Sequence, residues 1–272
     1  MSQTSDSPRV TAQRALQRPV CQLRSLPREL WLEAARNAAE INPANVPGQR
    51  ILPIGAPVDM TRDERLAVDT TKYWGGKGIW LTVGFMDGPP AALRTKILSH
   101  MNAWGEHCHV RFTEAADPYV RIARTVGGPE GGFWSHLGTD ITLIASDKPT
   151  MNLEGFTMDT PDWEFCQIVR HETGHTLGFP HEHLRPEIVS RIDRAKAIEI
   201  LGREWRWPPQ MVIDNVLTPL DTSALLATAK PDTHSIMCYT LPASVTVDGI
   251  AVEGGFDIDP TDAQFAASVY PL

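Results

Sequence analysis

The stretch His171-Glu172-Thr173-Gly174-His175-Thr176-Leu177-Gly178-Phe179-Pro180-His181-Glu182 constrains this chain more than any other, because three imidazoles and a carboxylate recur there at spacings that suit one zinc ion. Residues four apart lie one turn above each other on a helix, so His171 and His175 face the same way and can share a metal. Glu172 stands beside the first of them, where it reaches a metal-bound water without binding the metal itself. Gly178 allows the chain to leave the helix sharply, since glycine tolerates the positive φ common at a helix C-terminus. Pro180 cannot continue the helix. His181 then returns to give three ligands and an open fourth position, the arrangement of a catalytic zinc and not of a structural one. The competing reading is an amphipathic helix that ends in a histidine-rich turn. Bare H-E-x-x-H matches do arise that way, but the extension through Gly178 to His181 weighs against it here.

The rest of the chain is compatible with one large soluble domain: it has 272 residues, and 42% of them are hydrophobic. A net charge of -8 argues against nucleic acid or an anionic membrane as partner, because either favours a basic surface. The first twenty residues contain no apolar core of a secretory signal, and no run is long enough to span a bilayer. The expected compartment is therefore the cytoplasm, or the exterior by a non-classical route, and the expected state is a monomer. Cys21, Cys108, Cys166 and Cys238 are far apart and unpaired in spacing, so free thiols are expected.

In chain order, residues 1–20 read as a flexible leader. Ser25 and Pro27 read as the start of a helix over Glu29 to Glu40, with Ser25 as N-cap. Asn42 to Pro57, rich in Pro, Gly and Asn, reads as an extended connector. The division expected is a leader over 1–67 and a main domain over 68–272, with an upper subdomain to about 181 and a lower one from about 182. Strands are expected at Gly78 to Phe85, Val110 to Thr113, Tyr119 to Ala123 and Ile141 to Ala145. Helices are expected at Pro90 to Trp104, Asp162 to Leu177, Arg191 to Trp205 and Thr261 to Val269, the last capped by Asp259 or Thr261. Pro219 to Pro231 reads as loop with one helical turn. The fold class is α+β: a twisted mixed sheet with helices above, and a mostly irregular lower part with a final helix.

HETGHTLGFPHE resembles the zinc signature of the metzincin clan of endopeptidases, and Phe179 and Glu182 favour its astacin branch. Ser235-Ile236-Met237-Cys238-Tyr239 resembles the clan's Met-turn, a tight turn beneath the metal. Gly131 to Thr139 is similar to the astacin edge-strand segment, Lys148 to Leu153 to the stretch before the zinc helix in bacterial relatives, and the end around Asp262 and Tyr270 to the final helix. The resemblance covers roughly residues 70–272. It departs at Cys238, where astacins usually have histidine; at Phe133, where they commonly have a disulfide cysteine; and at Pro186-Glu187 after Arg185. Loss of the family disulfides fits a reducing compartment.

The resemblance implies one Zn(2+) held by His171, His175 and His181, with Glu172 as general base and then general acid toward a zinc-activated water. It implies Met237 as an apolar floor and Tyr239 as a phenol that swings to hydrogen-bond the oxyanion. Core packing is the commoner fate of such residues. The implied activity is a metalloendopeptidase acting on a peptide or protein, paired as an extended strand along Trp134, Ser135 and His136. His136 reads as a substrate-side or solvated residue and not a ligand. Cys21 is either an unpaired tail cysteine or an inhibitory zinc ligand of a zymogen, since a thiolate binds zinc strongly. A latch of that kind would be released by cleavage between about residues 40 and 70, after which Glu182 would receive the new terminal amine. The alternatives are a catalytically silent zinc-binding protein of the same fold and a structural zinc site. Intact Glu172 and the open ligand position speak against both.

Overall fold

The computed structural model describes residues 21–46, 70–76, 78–220 and 230–272. The leader over 1–20, most of the connector with the expected cleavage region, the residues at the start of the main domain and the loop over 221–229 lie outside the described residues.

Five strands form one mixed sheet: β1 (Ile79–Phe85), β2 (Val110–Glu114), β3 (Val120–Ala123), β4 (Phe133–Ser135) and β5 (Met151–Leu153). Their order is β2-β1-β3-β5-β4, all parallel except β4, which runs antiparallel to β5 at the sheet edge. Alternation puts Val120 and Ile122 in the core, as their period of two requires. Helix α1 (Trp31–Ile41) turns Ala34, Ala35 and Ala38 inward, and α2 (Ala91–Met101) buries Leu93, Ile97 and Met101 at helical spacing. Trp104, in the short 3-10 turn that continues α2, joins them in the core.

The helix that carries the zinc motif begins at Asp162–Glu164, winds as a π-turn over Phe165–Val169, and continues as α3 (Arg170–Thr176). Phe165, Ile168 and Val169 are buried against the sheet-side core, as their spacing predicts. Below it, α4 (Arg194–Glu204) starts at Asp193, whose carboxylate accepts the N–H groups of Ala195 and Lys196. The last helix, α5 (Pro260–Val269), is capped by Asp259 with a reciprocal bond from Asp262. A second apolar cluster, separate from that of the sheet, fills the lower part with Ile188, Leu201, Trp207, Val216 and Leu241.

Two expectations fail. The strand expected at Ile141 to Ala145 is absent; the chain instead makes a 3-10 turn over Gly138–Leu143. Thr142 bonds its own turn at the Thr139 carbonyl (2.8 Å), and the Thr139 N–H goes to the distant Lys72 carbonyl (3.0 Å), so one local and one long-range bond override β propensity. The missing strand is supplied by Met151–Leu153. Ser25 caps nothing: the 3-10 turn that precedes α1 has Pro27 at its cap position and no side-chain bond. The segment before the expected domain lies against β4. Its residues 21–24 run parallel to β4, with Gln22 N–H on the Phe133 carbonyl (2.9 Å) and Arg24 N–H on that of Ser135 (3.1 Å).

Candidate metal centre

Geometry at the end of α3 follows from its stop signal. Gly178 has φ of 92°, the Phe179 N–H returns to the Gly174 carbonyl (2.9 Å), and the Gly178 N–H returns to that of His175 (2.8 Å). This pair of bonds is a Schellman motif, which reverses the chain. The carbonyls of Thr176 and Leu177, orphaned by the stop, accept from the Trp74 indole (2.8 Å) and the Tyr270 phenol. The reversal delivers His181 against the two histidines of the helix.

His171, His175, His181 and Cys21 each offer one ligand atom, and these four atoms all lie within 4.8 Å of one another, every residue buried. Nδ1 of His171 faces the Ile236 carbonyl at 2.6 Å and Nδ1 of His175 the Phe179 carbonyl at 2.8 Å, so each Nδ1 carries the proton and each Nε2 presents a lone pair. Those Nε2 atoms stand 3.2 and 3.0 Å from Nε2 of His181. Burial pushes His171 down to about 4 and His175 and His181 well below the ordinary histidine value, so the rings are neutral at working pH. Three converging lone pairs repel unless a cation stands among them. A set of imidazoles and a thiol suits zinc.

Glu172 is wholly buried beside this cluster, and neither of its oxygens has a hydrogen-bond partner of ordinary geometry. Burial pushes its carboxyl up to about 8, against the smaller opposing effect of the Cys21 thiol next to it. The same burial, with Glu172 nearby, pushes the thiol well above its ordinary value.

The turn at Ser235-Tyr239 closes through the Cys238 N–H on the Ser235 carbonyl (2.9 Å). Asp262, from α5, ties it down by accepting Ser235 Oγ (2.6 Å) and the Ile236 N–H (2.8 Å). Met237 is buried under α3, where a Cβ on Gly174 would overlap its sulfur. The Tyr239 hydroxyl donates to the Cys21 carbonyl. Of the expected edge residues, Trp134 and Ser135 are in β4 and buried, while His136 follows it, half-buried and apart from the ligand cluster. Burial and the nearby Arg24 push His136 down to about 4.

Sequence reasoning did not find His183, Gly174 or Asn45. His183 was signalled only by its position two residues beyond His181; it is fully buried and stacks on Tyr239. All four cysteines are free, as their spacing predicts. Among the described residues no helix is long and apolar enough to cross a membrane.

Comparison with known proteins bears on this geometry. The family model described as Astacin (Peptidase family M12A) matches residues 69–248. The chain is similar to zinc metalloproteinase nas-27 of Caenorhabditis elegans, 26% identical over 167 residues, which are 61% of this chain and 36% of that protein. It is also similar to zinc metalloproteinase nas-38 of the same nematode, 28% identical over 116 residues, 43% of this chain and 14% of that one. The chain thus spans well under half the length of both curated relatives. A solved structure of myroilysin superposes with a TM-score of 0.67 and 31% identity, covering 74% of this chain and 96% of that chain. The mixed sheet and the helices are those of that architecture.

Proposed function

The chain belongs to the astacin family, peptidase family M12A, and from that premise we propose that it is a zinc-dependent endopeptidase held latent by its own N-terminal segment. The observation that carries the reading is the convergence of three neutral imidazole lone pairs beside a buried, unpartnered carboxylate. His171, His175 and His181 would hold the ion. Bound zinc supplies Lewis acidity, lowering the pKa of water and polarising the scissile carbonyl.

The protein's own groups do the rest. Glu172 takes a proton from the attacking water and returns it to the leaving amine. Its place beside the three imidazoles, buried with no ordinary hydrogen-bond partner to compete for its oxygens, supports this role. The Tyr239 phenol, once freed from the Cys21 carbonyl, donates a hydrogen bond to the developing oxyanion. Met237 packs beneath the site as an apolar floor. The substrate, a peptide or protein, lies extended along β4 and pairs antiparallel with it, using main-chain groups that now pair in parallel with residues 22–24.

That parallel pairing supports latency. A segment that runs along β4 in the opposite sense from a substrate fills the cleft without presenting a scissile bond in register. The Cys21 sulfur lies in the same cluster as the three imidazole nitrogens, where it would complete the donor set of a bound ion and exclude water. Residues 1–67 act as a pro-segment, and cleavage in the connector releases it. The full-length protein, its Cys21→Ala variant and the protein nicked in the connector are to be compared on a quenched peptide library, with and without a zinc chelator. Chelator-sensitive cleavage by the variant or the nicked form, and little by the intact protein, is the expected result. Equal cleavage by all three removes the latch and leaves the peptidase. Zinc bound with no cleavage by any of them would favour a silent zinc-binding protein.

A further inference from the structure

Tyr239 stands in a cage of rings. The His183 imidazole lies against it with centroids 3.8 Å apart and planes 20° from parallel. His181 approaches at 4.5 Å, tilted by 59°, and Trp205 meets it edge-on at 6.0 Å. His183 is not among the clustered ligand atoms, yet it is as deeply buried as they are.

Both ring nitrogens of His183 are engaged. Nε2 donates to the Asn215 carbonyl at 2.8 Å, so Nδ1 is the acceptor, and it takes the backbone N–H of Tyr239 at 3.3 Å. Asn215 belongs to a π-helical turn over Ile213–Leu217, a winding that recurs at functional sites. An apolar residue would fill the same volume but leave that N–H and that carbonyl unpaired in the interior. The ring therefore joins three things: the stack, the tyrosine's backbone and the turn that carries Asn215.

We propose that His183 is a positioning residue for peptide hydrolysis, holding the ring and the backbone of Tyr239 so that the phenol stays aimed at the metal cavity. The inference rests on the peptidase reading above and adds to it the device that orients the oxyanion donor. While the N-terminal segment is docked, the phenol is held by the Cys21 carbonyl. When that partner leaves, only the cage restrains it. A donor already oriented needs no reorganisation as charge develops, which is where its effect on rate arises. The stack also selects the motion left to the ring: sliding in its own plane keeps the contact, whereas tilting breaks it.

The test uses the full chain with Cys21→Ala, loaded with zinc, and adds Tyr239→Phe, His183→Leu, His183→Gln and the Leu/Phe double variant. Loss of one oxyanion donor lowers kcat by about 100-fold, the expected result for Tyr239→Phe. His183→Leu should lower kcat about tenfold with KM within about twofold, and should cost less than about twofold once the phenol is gone, because residues acting through one group are not additive. His183→Gln, whose amide offers one donor and one acceptor in a flat group, should recover kcat to within about threefold of the parent. An equal loss with and without the phenol, or no loss at all in a folded leucine variant, overturns the proposal. A second readout needs no turnover. In the metal-free full chain, Tyr239 ring protons, shifted upfield by the stacked imidazole, should move downfield in His183→Leu while the signals of Tyr73, Tyr119 and Tyr270 stay. Unmoved Tyr239 signals overturn the proposal even if no variant cleaves peptide, whereas a zinc-loaded parent that cleaves nothing sinks the peptidase reading on its own.

Discussion

Replacing Asn45 with alanine should undock the N-terminal segment without unfolding the rest. Asn45 is 1% exposed, and its amide is saturated: Nδ2 donates to the carbonyls of Ala38 (2.9 Å) and Tyr73 (2.8 Å), while Oδ1 accepts from Thr71 Oγ1 (2.7 Å) and the Tyr73 N–H (3.1 Å). One side chain thus ties the end of α1 to the first described residues after the connector. Asn45→Ala leaves the Tyr73 carbonyl and N–H and the Thr71 hydroxyl without that partner in the interior, while the Ala38 carbonyl keeps the Asn42 N–H. Each costs roughly 1–3 kcal/mol if it stays unpaired, and relaxation recovers part of the total, so about 3–4 kcal/mol is expected. That is a factor of about 10² to 10³ in the opening equilibrium. Native-state hydrogen exchange reads it residue by residue. The amides of α1 should exchange faster by that factor, and those of β1 and β3 should not change. A change below about tenfold in α1, or an equal change in the sheet, would refute the reasoning: the first by showing that the clasp contributes little, the second by showing that it belongs to the global core.

Two further perturbations test the frame around the site. Gly178→Ala places a Cβ 2.9 Å from the Lys72 carbonyl oxygen at a φ of 92°, so denaturant unfolding should show a loss of about 3 kcal/mol, and zinc affinity by competition with a chelator should fall with it. Asp140 is buried 3.6 Å from Lys72, and burial lifts its carboxyl from 3.8 to about 6 in spite of that partner. The folded state then holds the proton more tightly than the unfolded one, so stability is lost as pH rises from about 4 to about 6. The ceiling is about 3 kcal/mol. Asp140→Asn removes this slope, and its stability advantage over the natural protein should grow across that window in urea titrations; a constant difference would exclude the linkage.

What could be read from the sequence was what neighbours along the chain decide. The ligand spacing of His171 and His175, the glycine stop at Gly178 and the cap at Asp259 each depend on a few consecutive residues, and each stands in the structure where the spacing puts it. Ile141 to Ala145 shows the limit of such reading. Its β-branched residues favour a strand, yet the bonds of Thr139 to Lys72 and of Asn37 to Thr142 come from distant parts of the chain and make it a turn. Met151–Leu153, with little strand pattern of its own, becomes the strand because β3 and β4 flank it on both sides.

The site divides in the same way. The clustered imidazoles are legible because the helical spacing of His171 and His175 and the stop at Gly178 turn sequence separation into spatial convergence. The contacts made by Cys21 and His183 are not, because their partners lie 218 and 56 residues away along the chain. For Cys21 the sequence offered a chemical argument, thiolate affinity for zinc, and that sufficed to single it out. For His183 it offered only one more histidine in a histidine-rich turn. The distinction between a ligand and a ring that aims a phenol rests on a stacking distance and on which nitrogen carries the proton, and neither is written in residue order.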